Sequence, residues 1–364
     1  MTDTIRAAVL HEFGEPLVIE ELTLDPPREG EIRVRMAASG VCHSDLHVVD
    51  GIHPTSLPVV LGHEGAGIVE DLGPGVNGLE PGDHVLLTWL PYCGHCRECV
   101  RGRPNICENT AWYDATMEDG TCRFHLGEDS VHHYNTSSFA ERSVVPARTA
   151  IKVDPDLPLS ELALMGCAVM TGVGAVLNTA RVRPGETVAV VGCGGVGLNV
   201  VQGARIAGAE RIIAIDVVPA KLELARQLGA TDVVDGSQPD VAAAVRELVP
   251  PGVDHAFEAL GRPETIATTL ELTARGGEAL LIGMAPPDAR VGLDALTMTL
   301  EERCVRGSWY GSCVPLRDIP MLVELYREGR LRLEPLITTC RLDDVNEAFA
   351  RMRAGKTARS VIVY

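Results

Sequence analysis

The chain has 364 residues, 46% of them hydrophobic and 23% charged, with 37 Gly and 23 Pro. That is more than one hydrophobic core usually serves, so two domains are expected. A formal net charge of −18 argues against a nucleic-acid or anionic-membrane partner, since both need a basic face to displace counterions. The opening residues, MTDTIRAAVLHEFGEP, carry no basic and apolar leader, and no run of about 18 apolar residues follows to span a membrane. Eleven cysteines, an odd number, suit a reducing cytoplasm better than a disulfide framework.

In chain order, the first 150 residues hold short β-type runs: EIRVRMAASG, GAGIVEDLG and GDHVLLTWL. They read as antiparallel strands joined by turns, a barrel-like β domain. From about residue 168 the rhythm changes. The segment ETVAVVGCGGVGLNVVQGARIAGA is an apolar strand, a glycine turn and a helix. Strand RIIAID, helix PAKLELARQLGA, strand TDVVD, helix VAAAVRELV, strand GVDHAFEAL, a helical run and GGEALLIG follow. Strands alternating with helices over short connections predict a parallel sheet covered on both faces. After about residue 308 the pattern is irregular, and it closes with the strand RSVIVY, which is expected to return to the first domain.

Within the β region, PYCGHCRECVRGRPNIC places Cys93, Cys96, Cys99 and Cys107 close together. Four thiolates at loop-compatible spacing are the donor set of a closed tetrahedral Zn²⁺ site, which leaves no position for substrate. A disulfide framework fits neither the odd count nor the compartment, and a nucleic-acid-binding zinc ribbon fits poorly with the charge. The expected role is structural.

Residues Gly192, Gly194 and Gly197, with Gly195 and Val196 between them, match G-x-G-x-x-G. Such a turn is common without function. Here it follows the strand TVAVV, opens a helix, and precedes Asp216 at the end of the next strand by 19 residues. That context fits dinucleotide binding: glycines let backbone approach a pyrophosphate at a helix N-terminus, and the acid takes the ribose hydroxyls. Asp216 would repel a 2′-phosphate, which favours NAD. Cys193 inside the turn reads as a small buried filler.

A working metal needs another site. Cys42 in GVCHSDLH, His63 in LGHEGAG and Cys167 in LMGCAVMTGVG offer two thiolates and an imidazole, an open set. Spacing alone does not select these three, because a lone Cys or His is more often packing.

Taken together, the segments resemble the zinc-dependent medium-chain alcohol dehydrogenases, in their long, liver-type form. The likeness runs from AAVLHEFGEPLVIEEL to GKTARSVIVY and includes GHEGAGIVEDLGPGV, the four-cysteine lobe and GCGGVG in the family's order. It implies an α/β protein: a GroES-like β-rich catalytic domain at 1–168 and 309–364, plus a Rossmann doubly wound parallel-sheet domain at 169–308. It implies two Zn²⁺ per chain, a catalytic one on Cys42, His63 and Cys167 and a structural one on the lobe. Glu64 is then a transient or neighbouring ligand, and Asp45 orients His63.

The resemblance also implies a reversible hydride transfer between a primary alcohol and NAD, with Ser44 passing the hydroxyl proton to His47. Ser44 and His47 lie three apart, on one side of a turn or short helix; without the likeness they would read as a capping Ser and a surface His. By position, Thr171, Lys221, Arg359 and His43 become cofactor contacts. His43 stands where some members carry Arg, which implies a looser hold on the pyrophosphate. His53, Trp89, Trp112, Tyr134 and Met284 become the alcohol pocket, bulky enough for a medium-chain or aromatic substrate.

The formaldehyde-adduct subgroup carries an arginine where this chain has Ala111, which weakens a thiol-adduct reading. A relative without catalytic zinc that reduces quinones or enones would lack the ligand set, and a non-catalytic zinc module would have no use for the nucleotide turn. The partner is then a small alcohol or aldehyde, with no nucleic acid and no membrane. The resemblance also implies a homodimer, with a tetramer as the alternative.

Overall fold

The computed structural model describes residues 3–109 and 114–364. The chain forms two compact units: Met1–Cys167 with Val314–Glu324 and Leu336–Tyr364, and Ala168–Cys313 with Leu325–Pro335.

In the first unit the strands Asp3–Leu10, Val18–Leu24, Phe124–Leu126, Asp129–His133 and Val59–Val60 close a barrel. Alternate residues of one strand point to one face, so Ile5, Ala7 and Val9 enter the same core as Leu22, Leu24, Phe124 and Val131. A second sheet runs Ala150–Val153, His84–Leu87, Glu64–Leu72, Glu31–Val41, Arg359–Val363, Ile337–Cys340, with Arg142–Pro146 also pairing Glu31–Val41. The closing strand lies antiparallel on Glu31–Val41, with Val361 opposite Gly40.

Two pairs depart from the expected antiparallel pattern. Ile337–Cys340 runs parallel to Arg359–Val363, and Val59–Val60 runs parallel to Asp129–His133. Parallel neighbours need a crossover. The helix Val345–Arg353 supplies the first, and a long excursion of chain between residues 60 and 129 supplies the second.

The second unit is built on six parallel strands in the order Asp232–Asp235, Arg211–Asp216, Thr187–Val191, Val253–Glu258, Thr273–Leu281, Cys304–Gly307. The inner strands are continuously apolar because helices cover both faces: Ala189, Val191, Ile213 and Ile215 pack with Ala242, Val245 and Leu272 on one side. Strand order reverses between Thr187–Val191 and Val253–Glu258, the point at which such sheets open a ligand crevice at the strand C-termini. Among the described residues no single helix is long and apolar enough to cross a membrane.

Candidate metal and nucleotide sites

The strand Glu31–Val41 ends one residue before Cys42, the N-cap of the helix His43–Val49. Asp45, fully buried on that helix, anchors the surrounding chain. Its Oδ2 accepts the Cys42 N–H at 3.1 Å, and its Oδ1 accepts the Gly62 N–H at 3.2 Å and faces His63 Nδ1 at 2.9 Å. Gly62 has φ +91, and a Cβ there would lie 2.6 Å from Phe139, so the sharp entry to His63 requires glycine. One carboxylate thus fixes Cys42 and His63 together and leaves His63 Nε2 for another partner. Cys167 joins them from the end of the short turn Ala163–Gly166. Ligand atoms of Cys42, His63, Glu64 and Cys167, all buried, lie within 4.8 Å of one another.

The electrostatics fit a dication. A hydrogen bond from Cys167 pulls the Cys42 thiol well below its ordinary range, against burial and with help from the Arg359 and His63 charges. Burial alone would lower His63, but Asp45 and Cys42 outweigh it and raise the imidazole to about 10. Two sulfurs and one nitrogen suit Zn²⁺, and three such ligands leave a position open. Glu64 is committed elsewhere: fully buried, it accepts a hydrogen bond from Arg359 Nη2. Arg359, read by likeness as a pyrophosphate contact, is only 3% exposed beside that carboxylate.

Around this cluster, the Trp89 and Tyr134 rings stand nearly perpendicular to that of His63, with centroids 6.5 Å and 5.9 Å away. Burial holds the Tyr134 phenol well above its usual range. Ser44 Oγ lies 3.8 Å from Cys42 Sγ. His47, on the same helix, has its ring 6.4 Å from that of exposed His43 and 5.3 Å from that of His53. The structure therefore brings His53 to His47. Trp112 and Ala111 lie outside the described residues. Met284 is in the second unit, where its carbonyl packs on Gly261.

The four-cysteine lobe gathers as its spacing suggests. Sγ of Cys107 is 3.5 Å from Cys93 and 3.9 Å from Cys96. A tetrahedron with metal–sulfur bonds of about 2.3 Å has edges of about 3.8 Å, whereas a disulfide would be about 2.05 Å. Backbone N–H groups point at the sulfurs: Cys96 to Cys93 and Cys93 to Cys107 at 3.3 Å, Cys99 to Cys96 at 3.4 Å, and Glu108 to Cys96 at 3.5 Å. The Glu108 and Cys99 N–H groups bring Cys96 down to about 6, while burial first and then neighbouring sulfurs push Cys99 up to about 12. All eleven cysteines are free thiols.

In the second unit the strand Thr187–Val191 passes through Gly192, Cys193 and Gly194 into the helix Gly195–Ala207. A Cβ on Gly197 would lie 1.8 Å from the Gly192 carbonyl oxygen, while one on Gly194 would meet open space. The first position is closed by the turn itself. The second leaves backbone bare beside the unpaired N–H groups of Gly195 and Val196 that begin the helix.

Asp216 is 8% exposed; its Oδ2 accepts the Cys193 N–H at 2.8 Å and its Oδ1 the Val218 N–H at 2.9 Å. The acid thus ties the glycine turn to the next strand end and retains lone pairs for a ribose. Lys221 stands half-exposed on the helix Pro219–Leu228, and Thr171 on the helix Ala168–Gly174.

Sequence reasoning missed Glu258. It is fully buried at the end of Val253–Glu258 and accepts the Leu260 and Gly261 N–H groups at 3.0 and 2.9 Å and the Thr265 hydroxyl at 2.6 Å. Its signal was available, an acid ending a strand just before a glycine, as with Asp216.

Residues 28–155 match the alcohol dehydrogenase GroES-like domain and residues 195–328 the zinc-binding dehydrogenase domain. The chain is 42% identical to an S-(hydroxymethyl)glutathione dehydrogenase of Synechocystis sp., covering 99% of both chains. It is also 42% identical to an NDMA-dependent alcohol dehydrogenase of Amycolatopsis methanolica, covering 99% of this chain and 98% of that one. The crystal structure of benzyl alcohol dehydrogenase from Acinetobacter calcoaceticus superposes with a TM-score of 0.95 at 34% identity, covering 99% of each. The chain belongs to the zinc-dependent medium-chain alcohol dehydrogenase family. It is an NAD-dependent oxidoreductase that interconverts alcohols and aldehydes.

Proposed function

We propose that the enzyme oxidises primary alcohols of medium-chain or aromatic size, using one zinc on Cys42, His63 and Cys167 and a second on Cys93, Cys96, Cys99 and Cys107. The observation that carries the substrate reading is the pair of aromatic rings, Trp89 and Tyr134, set nearly perpendicular to that of His63. They set two large aromatic side chains beside the ligand cluster, and an aryl group gains more from aromatic neighbours than ethanol does. The likeness to a benzyl alcohol dehydrogenase supports the same class. Against an S-(hydroxymethyl)glutathione substrate stands Ala111, which offers no charge to the adduct's carboxylates.

When bound, zinc polarises the alcohol oxygen and acidifies its hydroxyl, and NAD accepts the hydride. The chain's own residues do the rest. Asp45 fixes His63 in the tautomer whose Nε2 is the donor. Ser44 takes the hydroxyl proton and hands it to His47. Asp216 and Lys221 would hold the adenosine ribose and the Gly192–Gly197 turn the pyrophosphate. Cys93, Cys96, Cys99 and Cys107 would hold a zinc that closes their loop, with no ligand position left over for chemistry. Free cysteines throughout suit a cytoplasmic enzyme, and a homodimer is the assembly the family likeness favours.

The test is NADH formation with cinnamyl, benzyl and hexyl alcohols, ethanol and S-(hydroxymethyl)glutathione, with and without a chelator. The aryl and medium-chain alcohols should give the higher kcat/KM, and chelation should abolish turnover. Ethanol or the adduct giving the highest kcat/KM would overturn the substrate reading.

A further inference from the structure

After the helix His43–Val49 the chain reverses at Gly51, φ +69. The Ile52 and His53 N–H groups both donate to the His47 carbonyl, at 2.9 and 3.2 Å. This tight return seats the His53 ring on the His47 ring, centroids 5.3 Å apart and planes 53° to each other. Among the described residues, His47 Nδ1 and His53 Nε2 are buried with no hydrogen-bond partner. Leaving two ring nitrogens unpaired is costly, and an apolar side chain at 53 would pack without that cost. Paired imidazoles with one inward nitrogen each are suited to moving a proton.

We propose that His53, acting through His47, carries the alcohol proton onward to solvent. The step rests on the reading of His47 as the acceptor of that proton. His47 gains the proton on Nε2 and loses one from Nδ1; His53 gains it on Nε2 and loses one from Nδ1 to water. Each ring ends neutral, and no oxidant or reductant is needed. The two nitrogens are not in direct contact, so the transfer uses one bridging water or a ring rotation.

The charges around the pair agree with this direction. Burial first, then the His53 charge, hold His47 below its usual value, opposed by Cys42 and by Asp50, whose carboxylate also pairs with Arg353 at 3.1 Å. Burial lowers His53 as well, and His43 stands on the far side of His47. Both rings are therefore mostly neutral, and free to accept, at neutral pH.

The experiment compares the zinc-loaded full-length enzyme with His53→Leu and His47→Gln variants, measuring kcat/KM for alcohol oxidation from pH 5 upward, with and without added imidazole. Zinc content and melting temperature report folding. His53→Leu should lower kcat/KM about five- to tenfold, less than the roughly 10²–10⁴-fold of a primary general base, because His53 acts only through His47. At the acidic foot of the rising limb, where His53 becomes charged and opposes protonation of His47, its loss should move the limb to higher pH, and added imidazole should restore much of the rate. If His47→Gln alters the profile and His53→Leu leaves it unchanged, the inference is overturned while the Ser44–His47 relay stands. A His53→Leu loss that imidazole does not repair, on an unmoved limb, also overturns it in favour of packing. If neither variant changes the profile, the relay itself fails and the inference with it.

Discussion

Asp45→Asn is the sharpest perturbation of the Cys42–His63–Cys167 cluster, because one carboxylate makes three contacts there. Oδ2 takes the Cys42 N–H and Oδ1 the Gly62 N–H and His63 Nδ1. An amide keeps only one acceptor oxygen, so whichever way it turns, its NH₂ faces a buried N–H. A charge-assisted bond worth about 1.5–3 kcal/mol falls to a neutral one worth about 0.5–1.5 kcal/mol, and one donor loses its partner. Removing the outer partner of a metal-binding His weakens metal affinity about 10–100-fold, or about 1.4–2.8 kcal/mol.

The pH dependence changes as well. His63 is raised to about 10 by Asp45 and Cys42 over the opposing effect of burial, above the unfolded value of about 6.5. In the metal-free protein its charge pair therefore contributes stability fully below about pH 6.5, and loses it as pH rises through 10. Zinc needs the neutral ring, so affinity at this site climbs with pH until the ring has lost its proton, near pH 10. In Asp45→Asn that climb ends at lower pH. Dialysis against graded chelator, with zinc analysis at several pH values, reads both effects, and the lobe zinc serves as an unchanged internal reference. Loss of the cluster zinc at the wild-type chelator concentration, with the wild-type pH slope, would refute the reasoning.

Cys99→Ser removes one sulfur from the lobe; zinc should drop from two to one per chain and the melting temperature should fall, while alcohol oxidation persists at low temperature. A complete loss of turnover with the protein still folded would give the lobe a chemical role. Gly197→Val places a Cβ against the Gly192 carbonyl, where the gap is 1.8 Å. Overpacking of that kind costs about 1–3 kcal/mol, and the Kd for NADH by fluorescence titration should rise at least about tenfold with both zincs retained. Unchanged NADH binding would remove the turn from the nucleotide site.

How much was legible depended on whether the signal was local. The glycine turn, its flanking strand and Asp216 sit within one strand–helix–strand stretch, and the lobe's four cysteines lie on one loop, so spacing alone was enough to propose both sites. Cys42, His63 and Cys167 are scattered, and only long-range register unites them. Gly40 pairs with Glu64, which sets Cys42 and His63 at neighbouring strand ends.

The Glu64–Arg359 pair follows from another such register, Ser360 opposite Val41; a sequence pattern shows neither. Asp216 was readable as an acid at a strand end, but its hold on the Cys193 and Val218 N–H groups depends on loop geometry. His53 lies in GIHP, a turn without periodicity, so its approach to His47 came only from backbone hydrogen bonds that close that turn.

Anomalous diffraction at the zinc edge, on crystals of the enzyme as purified, reads the donor sets directly. Two peaks per chain are expected, one enclosed by the sulfurs of residues 93, 96, 99 and 107 and one shared by the two buried sulfurs and the imidazole, with its fourth protein position free. A single peak confined to the lobe, or a second metal closed off by Glu64 as a permanent ligand, would contradict a zinc ion open to alcohol.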